Sequence, residues 1–115
     1  MIRIVATCLA LALHWTGVPA EAQPLSRIIA DKGLSPEDFR LMSAAGRAVA
    51  ESAAPGRERN WSNPASGSYG SVRLEAMRDG CAVLRHRTFP KGGDQPFELR
   101  GKFCPDGSGN WVLTP

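Results

Sequence analysis

The stretch CAVLRHRTFPKGGDQPFELRGKFC, Cys81 to Cys104, decides the fold of this 115-residue chain. Two runs of alternating character, Cys81–Phe89 and Gln95–Cys104, flank a turn from Pro90 to Asp94 rich in proline and glycine. Setting Pro90 against Gln95 across that turn places Cys81 opposite Cys104 and Arg87 opposite Glu98. Opposed cysteines at a non-hydrogen-bonded antiparallel site have α-carbons about 4.5 Å apart, within reach of a disulfide. An even cysteine pair in a small exported domain points to the same Cys81–Cys104 bond.

Working outward, a strand near Tyr69–Met77 precedes the turn Arg78-Asp79-Gly80, and one near Asn110–Thr114 follows the turn Pro105 to Gly109. A three-residue first turn pairs Leu74 with Leu84 and Ala76 with Ala82. Closing the last hairpin at Cys104 and Asn110 sets Phe103 against Trp111. Together these registers put Val72, Leu74, Leu84, Leu99, Phe103, Trp111 and Leu113 on one face, a core for a helix to cover.

The opposite face then carries Arg73, Arg85 and Arg100 in a row, with Arg87 and Lys102 beside them and Glu75 and Glu98 as the acids. Like charges set directly opposite destabilise a sheet. The row reads either as an anion site or as a solvated face with its arginines spread apart. The anion would be a lipopolysaccharide phosphate, an acidic glycan or an acidic partner protein. Nucleic acid is not expected, because no aromatic residue interleaves the basic positions. His86 falls on the inner side of its strand and is expected to be a satisfied, half-buried histidine rather than a base.

The N-terminal half is helical. Leu25, Ile28 and Ile29 form a short stripe stopped by Gly33, and Ser35-Pro36-Glu37-Asp38 opens a second helix as cap, proline and dipole-matching acids. Phe39, Met42, Ala45, Gly46, Val49 and Ala53 recur at helical spacing, and the helix stops before Pro55-Gly56. Arg57 to Asn60 reads as a polar linker.

The first 22 residues read as an export leader: a basic start at Arg3, the apolar run Ile4–Leu13, and Ala20-Glu21-Ala22 before Gln23. Cleavage after Ala20 is the near alternative. The apolar run is shorter than the roughly 20 residues a membrane span needs. Cys8 sits too early, behind Thr7, to be the acylated cysteine of a lipoprotein. The expected organisation is a leader at 1–22, a helical segment at 23–56 and a β domain at 57–115. The fold class is α+β, with the helical segment packed on a four-stranded antiparallel meander holding one disulfide.

Enzyme signatures are missing: there is no G-x-S-x-G, no H-E-x-x-H and no phosphate loop. Neither a cofactor nor a metal is expected, since His86 is the lone histidine after the leader and no C-x-x-C occurs.

Asn60-Trp61-Ser62-Asn63-Pro64-Ala65-Ser66-Gly67-Ser68-Tyr69-Gly70-Ser71-Val72 resembles the W-x-N-P-x-[ST]-G-x-x-G-x-V opening of a known domain. It is the C-terminal domain of the rickettsial-type seventeen-kilodalton surface antigens. Gly80-Cys81, Leu84-Arg85 and Arg87 resemble its second strand, with Ala82 where the family has arginine. Gly101 to Gly107 and Asn110-Trp111 resemble its closing motif, with Lys102-Phe103 and Pro105 as departures. The resemblance implies an exported envelope protein of Gram-negative bacteria, periplasmic or associated with the outer membrane at the surface.

The motif residues also have plain structural roles. Asn63, Pro64, Gly67 and Gly70 shape the entry to a strand, Asp106 and Gly107 shape the last hairpin, and Trp61 and Trp111 cap the two ends of the core. The expectation is a non-enzymatic envelope protein that binds an anionic envelope component or a partner protein. The alternative is a small periplasmic inhibitor, or an accessory subunit of an enzyme or secretion machine, that uses its turns.

Overall fold

The computed structural model describes residues 25–114, so the expected leader lies outside the described residues. Two helices, α1 (Leu25–Asp31) and α2 (Pro36–Ser52), precede five strands: β1 (Glu58–Asn63), β2 (Ser68–Arg78), β3 (Cys81–Phe89), β4 (Phe97–Pro105) and β5 (Trp111–Thr114). The strands form one antiparallel sheet in chain order. The α+β class holds, with five strands in place of the expected four. The extra strand, β1, takes its first half from the segment that reads as a polar linker, Arg57 to Asn60, and its second half from the motif residues Trp61 to Asn63. Only Trp61 and Asn63 of β1 are buried, so a short polar edge strand leaves almost no alternation to detect.

α2 starts as its sequence dictates. Ser35 Oγ accepts from the Asp38 amide at 3.1 Å, and Asp38 Oδ2 accepts from the Ser35 amide at 2.9 Å. This reciprocal capping box satisfies two otherwise orphaned donors. Met42, Ala45, Gly46, Val49 and Ala50 are buried against the sheet. Gly46 matters through its missing side chain: a Cβ there would sit 3.3 Å from His86 Cε1, so the glycine lets α2 approach β3.

The β3–β4 register is the expected one, with Arg87 opposite Glu98 and Arg85 opposite Arg100. The disulfide closes it: Cys81 and Cys104 have α-carbons 4.4 Å apart. The β2–β3 hairpin needs a correction. Leu74 does face Leu84, but the turn is two residues, Asp79-Gly80, both at positive φ. That combination matches a type I′ turn, whose twist suits a hairpin. The ladder recovers register through a β-bulge between Leu74 and Ala76, so Ala82 faces Met77 rather than Ala76. Met77 thereby packs on the core in Ala76's place.

In the last hairpin Phe103 faces Leu113, and Trp111 faces Pro105. The expected register was two residues off. A slip of two keeps every side chain on its face, so the expected inner set survives. Val72, Leu74, Leu84 and Phe103 are buried, while Leu99, Trp111 and Leu113 are half-buried beside them. α2 packs mainly on β1 and β2. The inner face of β4 and β5 is therefore only partly covered.

Candidate functional site

Among the described residues no helix packs on the outer face of the sheet, and cross-strand pairing fixes which side chains share it. One row runs Glu58, Arg73, Arg85, Arg100 across β1 to β4, and the next runs Asn60, Ser71, Arg87, Glu98. Lys102 lies beyond Arg100 on the same face of β4, opposite Thr114. The arginine row thus exists as expected, but its compensation differs.

Glu75 occupies the bulge, and the bulge aims its carboxylate back over the arginines. Glu75 Oε2 accepts from Arg100 Nε at 2.6 Å, and Oε1 lies 3.4 Å from Arg85 Nε. The Arg100 hydrogen bond, opposed by burial and helped by the charges of Arg100, Arg85 and Arg73, holds the Glu75 carboxyl below its ordinary range. Glu98 turns to Arg85, at 3.9 Å, instead of to its ladder partner Arg87. The expected Arg87–Glu98 ion pair is therefore replaced by an Arg85–Glu98 contact.

Arg85 and Arg100 are compensated in this way. Arg73 and Arg87 make no such contact: both are exposed, and among the described residues neither has a carboxylate within 4 Å, although Glu58 faces Arg73 across the ladder and Glu75 feels its charge. The Arg87 guanidinium instead lies over the Phe89 ring, 5.4 Å from its centroid. Phe89 stacks on Tyr69, its cross-strand partner, with centroids 4.7 Å apart and planes within 7°. Tyr69 is 42% exposed. Its other neighbour, across β1, is the small Ser62.

A shallow trough of about 580 Å³ opens there, lined by Asn60, Ser62, Ser71, Tyr69 and Phe89. Its floor is the backbone of Trp61 and Gly70, whose side-chain positions face the core. Gly70 is required by that floor. A Cβ there would lie 2.5 Å from the Arg87 carbonyl and 3.0 Å from Trp61 Nε1. Tyr69, Phe89, Asn60, Ser62 and Ser71 were not singled out from sequence. Carrying the Leu74–Leu84 pairing along to the strand ends would have placed Tyr69 against Phe89.

The inner face holds a second concavity, a cleft of about 940 Å³ between the helices and β3–β5. Phe39, Met42, Leu84, Phe103, Trp111 and Leu113 line it, with Arg47 and Asn110 among its polar groups. His86 belongs to this wall, edge-on to Phe103. It is buried rather than half-buried, and its Nδ1 has no hydrogen-bond partner. Burial pushes its pKa down to about 4, so the ring is neutral at pH 7.

Asp38 is the functional-looking residue that sequence reasoning placed only as a dipole acid. It is fully buried and accepts from Asn63 Nδ2 at 2.7 Å and Ser66 Oγ at 2.6 Å, besides the Ser35 amide. Burial pulls its pKa upward, but the hydrogen bonds from Ser66, Ser35, Asn63 and Ser68 outweigh that and hold it at about 2. A carboxylate so committed is a structural pin between α2 and the β1–β2 turn.

The other motif residues are structural as well. Gly67 takes positive φ in the β1–β2 turn, Pro64 precedes it, and Asp106 Oδ1 accepts from the Ser108 and Asn110 amides to close the last turn. Trp61 is buried on one edge strand and Trp111 half-buried on the other, capping the two sides of the core. Among the described residues no three His, Cys, Asp or Glu side chains group as metal ligands, and no helix is long and apolar enough to cross a membrane. The chain matches no protein-family model, no curated protein and no solved structure.

Proposed function

We propose that this is an exported, non-enzymatic bacterial envelope protein, periplasmic or outer-membrane-associated, that binds an anionic envelope component through its helix-free sheet face. One observation carries the reading: Arg73 and Arg87 are exposed on that face without a carboxylate partner, while Glu75 and Glu98 are spent on Arg85 and Arg100. The export part rests on the leader-like first 22 residues, the Cys81–Cys104 bond, which suits an oxidising compartment, and the surface-antigen resemblance of residues 60–113.

The test is binding of the purified protein to vesicles containing anionic phospholipid or lipopolysaccharide, across a salt series. Binding should weaken steeply as salt screens the contact. The double change Arg73→Gln and Arg87→Gln should keep the melting temperature and reduce binding. Unchanged binding in that variant removes the proposal.

A second reading, an inhibitor or accessory subunit of an envelope enzyme or secretion machine, draws on the apolar cleft beside the β4–β5 turn. Its mark would be salt-insensitive co-purification with one protein, since burial of apolar surface is not screened.

A further inference from the structure

The outer face offers more than charge, and this inference rests on the anion-binding reading above. We infer that the trough beside Tyr69 takes one sugar ring of an acidic glycan, with the sugar's carboxylate or sulfate directed at Arg87. Four observations converge on that ligand class.

First, Tyr69 and Phe89 stand stacked and nearly parallel, and Phe89 carries the Arg87 guanidinium. Phe89 therefore has one ring face against Tyr69 and a cation near it. Tyr69 keeps a face turned toward β1, where its ladder partner is only Ser62. An aromatic face is electron-rich and attracts C–H groups polarised by neighbouring oxygens, which a pyranose presents in a flat set. An aliphatic chain would fill the same space but leave the polar wall unused.

Second, that wall is hydroxyl and amide. Asn60, Ser62 and Ser71 all line the trough, and each is able both to donate and to accept. This mixture suits sugar hydroxyls, which also do both. A phosphate alone, acceptor-only when fully ionised, would leave the accepting groups without a use.

Third, one cation sits beside the polar wall, where an acidic substituent would reach it. Ser71 is the ladder partner of Arg87 and lies two residues from Arg73 on the same face. A ring held between Tyr69 and Ser71 thus has Arg87 as its neighbouring cation, whereas the Arg73 guanidinium leans the other way, toward Gly56 and Glu75. The Arg87 guanidinium presents a planar fork matched to a carboxylate or sulfate.

Fourth, the floor is flat because Trp61 and Gly70 send their side-chain positions into the core. An extended polymer would lie along β1 without meeting a ridge. Single-stranded nucleic acid shares the ring and the charge, but its stacking platforms use several aromatic faces in series. Here one face is open.

The experiment is titration calorimetry of the full mature protein with hexagalacturonate. Controls are its methyl ester, inorganic phosphate, an oligothymidylate and vesicles containing phosphatidylglycerol. Ser62→Phe is the informative variant, because it stacks a ring on Tyr69 at an exposed position and closes the trough without removing a charge. Arg73→Gln with Arg87→Gln removes the charge and leaves the trough.

The inference expects hexagalacturonate to bind, with loss of about tenfold or more in affinity in each variant and for the neutral ester, one missing contact being of that order. Anionic vesicles should still bind Ser62→Phe. Hexagalacturonate binding unaffected by Ser62→Phe but lost in the arginine variant overturns the sugar site and leaves the anion face standing. An oligothymidylate that binds as tightly as hexagalacturonate overturns the sugar assignment. Failure of every anionic probe, vesicles included, overturns both this inference and the function it rests on.

Discussion

Glu75 reaches Arg100, two strands away, with a 2.6 Å hydrogen bond, although it sits at the one position of β2 that the β3 ladder skips. The bulge turns an unpaired residue into the clamp that lets Arg85 and Arg100 stand side by side. Cross-strand like charges are normally destabilising. Here a single carboxylate spans both.

Glu75→Gln should therefore lower the melting temperature at low salt, and the loss should shrink as salt is raised, because the two guanidinium groups repel through solvent. The same change frees Arg100 and leaves Arg85 only its 3.9 Å contact with Glu98, so anionic vesicles should bind more tightly. Parallel melting and vesicle-binding series for wild type and variant check both directions.

Asp38→Ala strands the side chains of Asn63 and Ser66 and the Ser35 amide in or near the core. The expected cost is about 3 kcal/mol, the scale for leaving buried polar partners unmade. The pH dependence has a definite sign. The folded carboxyl titrates at about 2, below its ordinary value of 3.8, so its contribution is present above pH 4 and is lost as pH falls toward 2. That contribution is about 2 kcal/mol. Urea melts at pH 6, 4 and 3 should show the wild-type decline flattened in the variant.

His86 moves stability in the same direction from a higher starting point. Its folded pKa of about 4 lies below the ordinary 6.5, so the fold holds the neutral ring and the unfolded chain takes up the proton first. Stability is full above pH 6.5 and falls by up to about 3 kcal/mol on the way to pH 4. His86→Leu should remove that slope, and, by also removing an unpartnered buried nitrogen, leave stability at pH 7 equal or higher. Denaturant midpoints between pH 7 and 4 decide it.

Cys104→Ala should cost about 3 kcal/mol, the loop-closure value for a bond spanning 23 residues. That is a large share of the stability of a domain this small. Calorimetric melts with and without reductant should give wild type the same loss on reduction, and the variant none.

How much of this was legible depended on which errors preserve the face. The β3–β4 hairpin was read correctly because two cysteines and two apolar runs agree on one register. At β4–β5 the pairing was off by two, yet Trp111 and Leu113 stayed on the inner side, since the pleat repeats every second residue. The bulge at Glu75 left no mark, because Glu75 and Ala76 continue an ordinary alternation. Asp79-Gly80 did signal a two-residue turn, and taking it as three is what hid the bulge. β1 was lost because an edge strand needs only one buried face, and here Trp61 and Asn63 alone supply it. Asp38 was legible as a dipole-matching acid but not as a buried pin, because its partners Asn63 and Ser66 arrive from 25 and 28 residues away. The arginine row could be read from alternation. Which arginines remain free could not, since that follows from the bulge.

The placement of α2 over β1 and β2, with the disulfide on the uncovered side of the β3–β4 boundary, has a kinetic consequence. Backbone amides under the helix open only when the whole domain opens, whereas the β4–β5 hairpin has a half-exposed inner face and a short last strand. Amide exchange should thus be slowest in β2 and β3 and fastest in β5. Cys81–Cys104 sits at the boundary between the two regimes. When the hairpin frays, the covalent tether keeps its root in register, so closing is a zipping event over a few residues rather than a search through the unfolded chain.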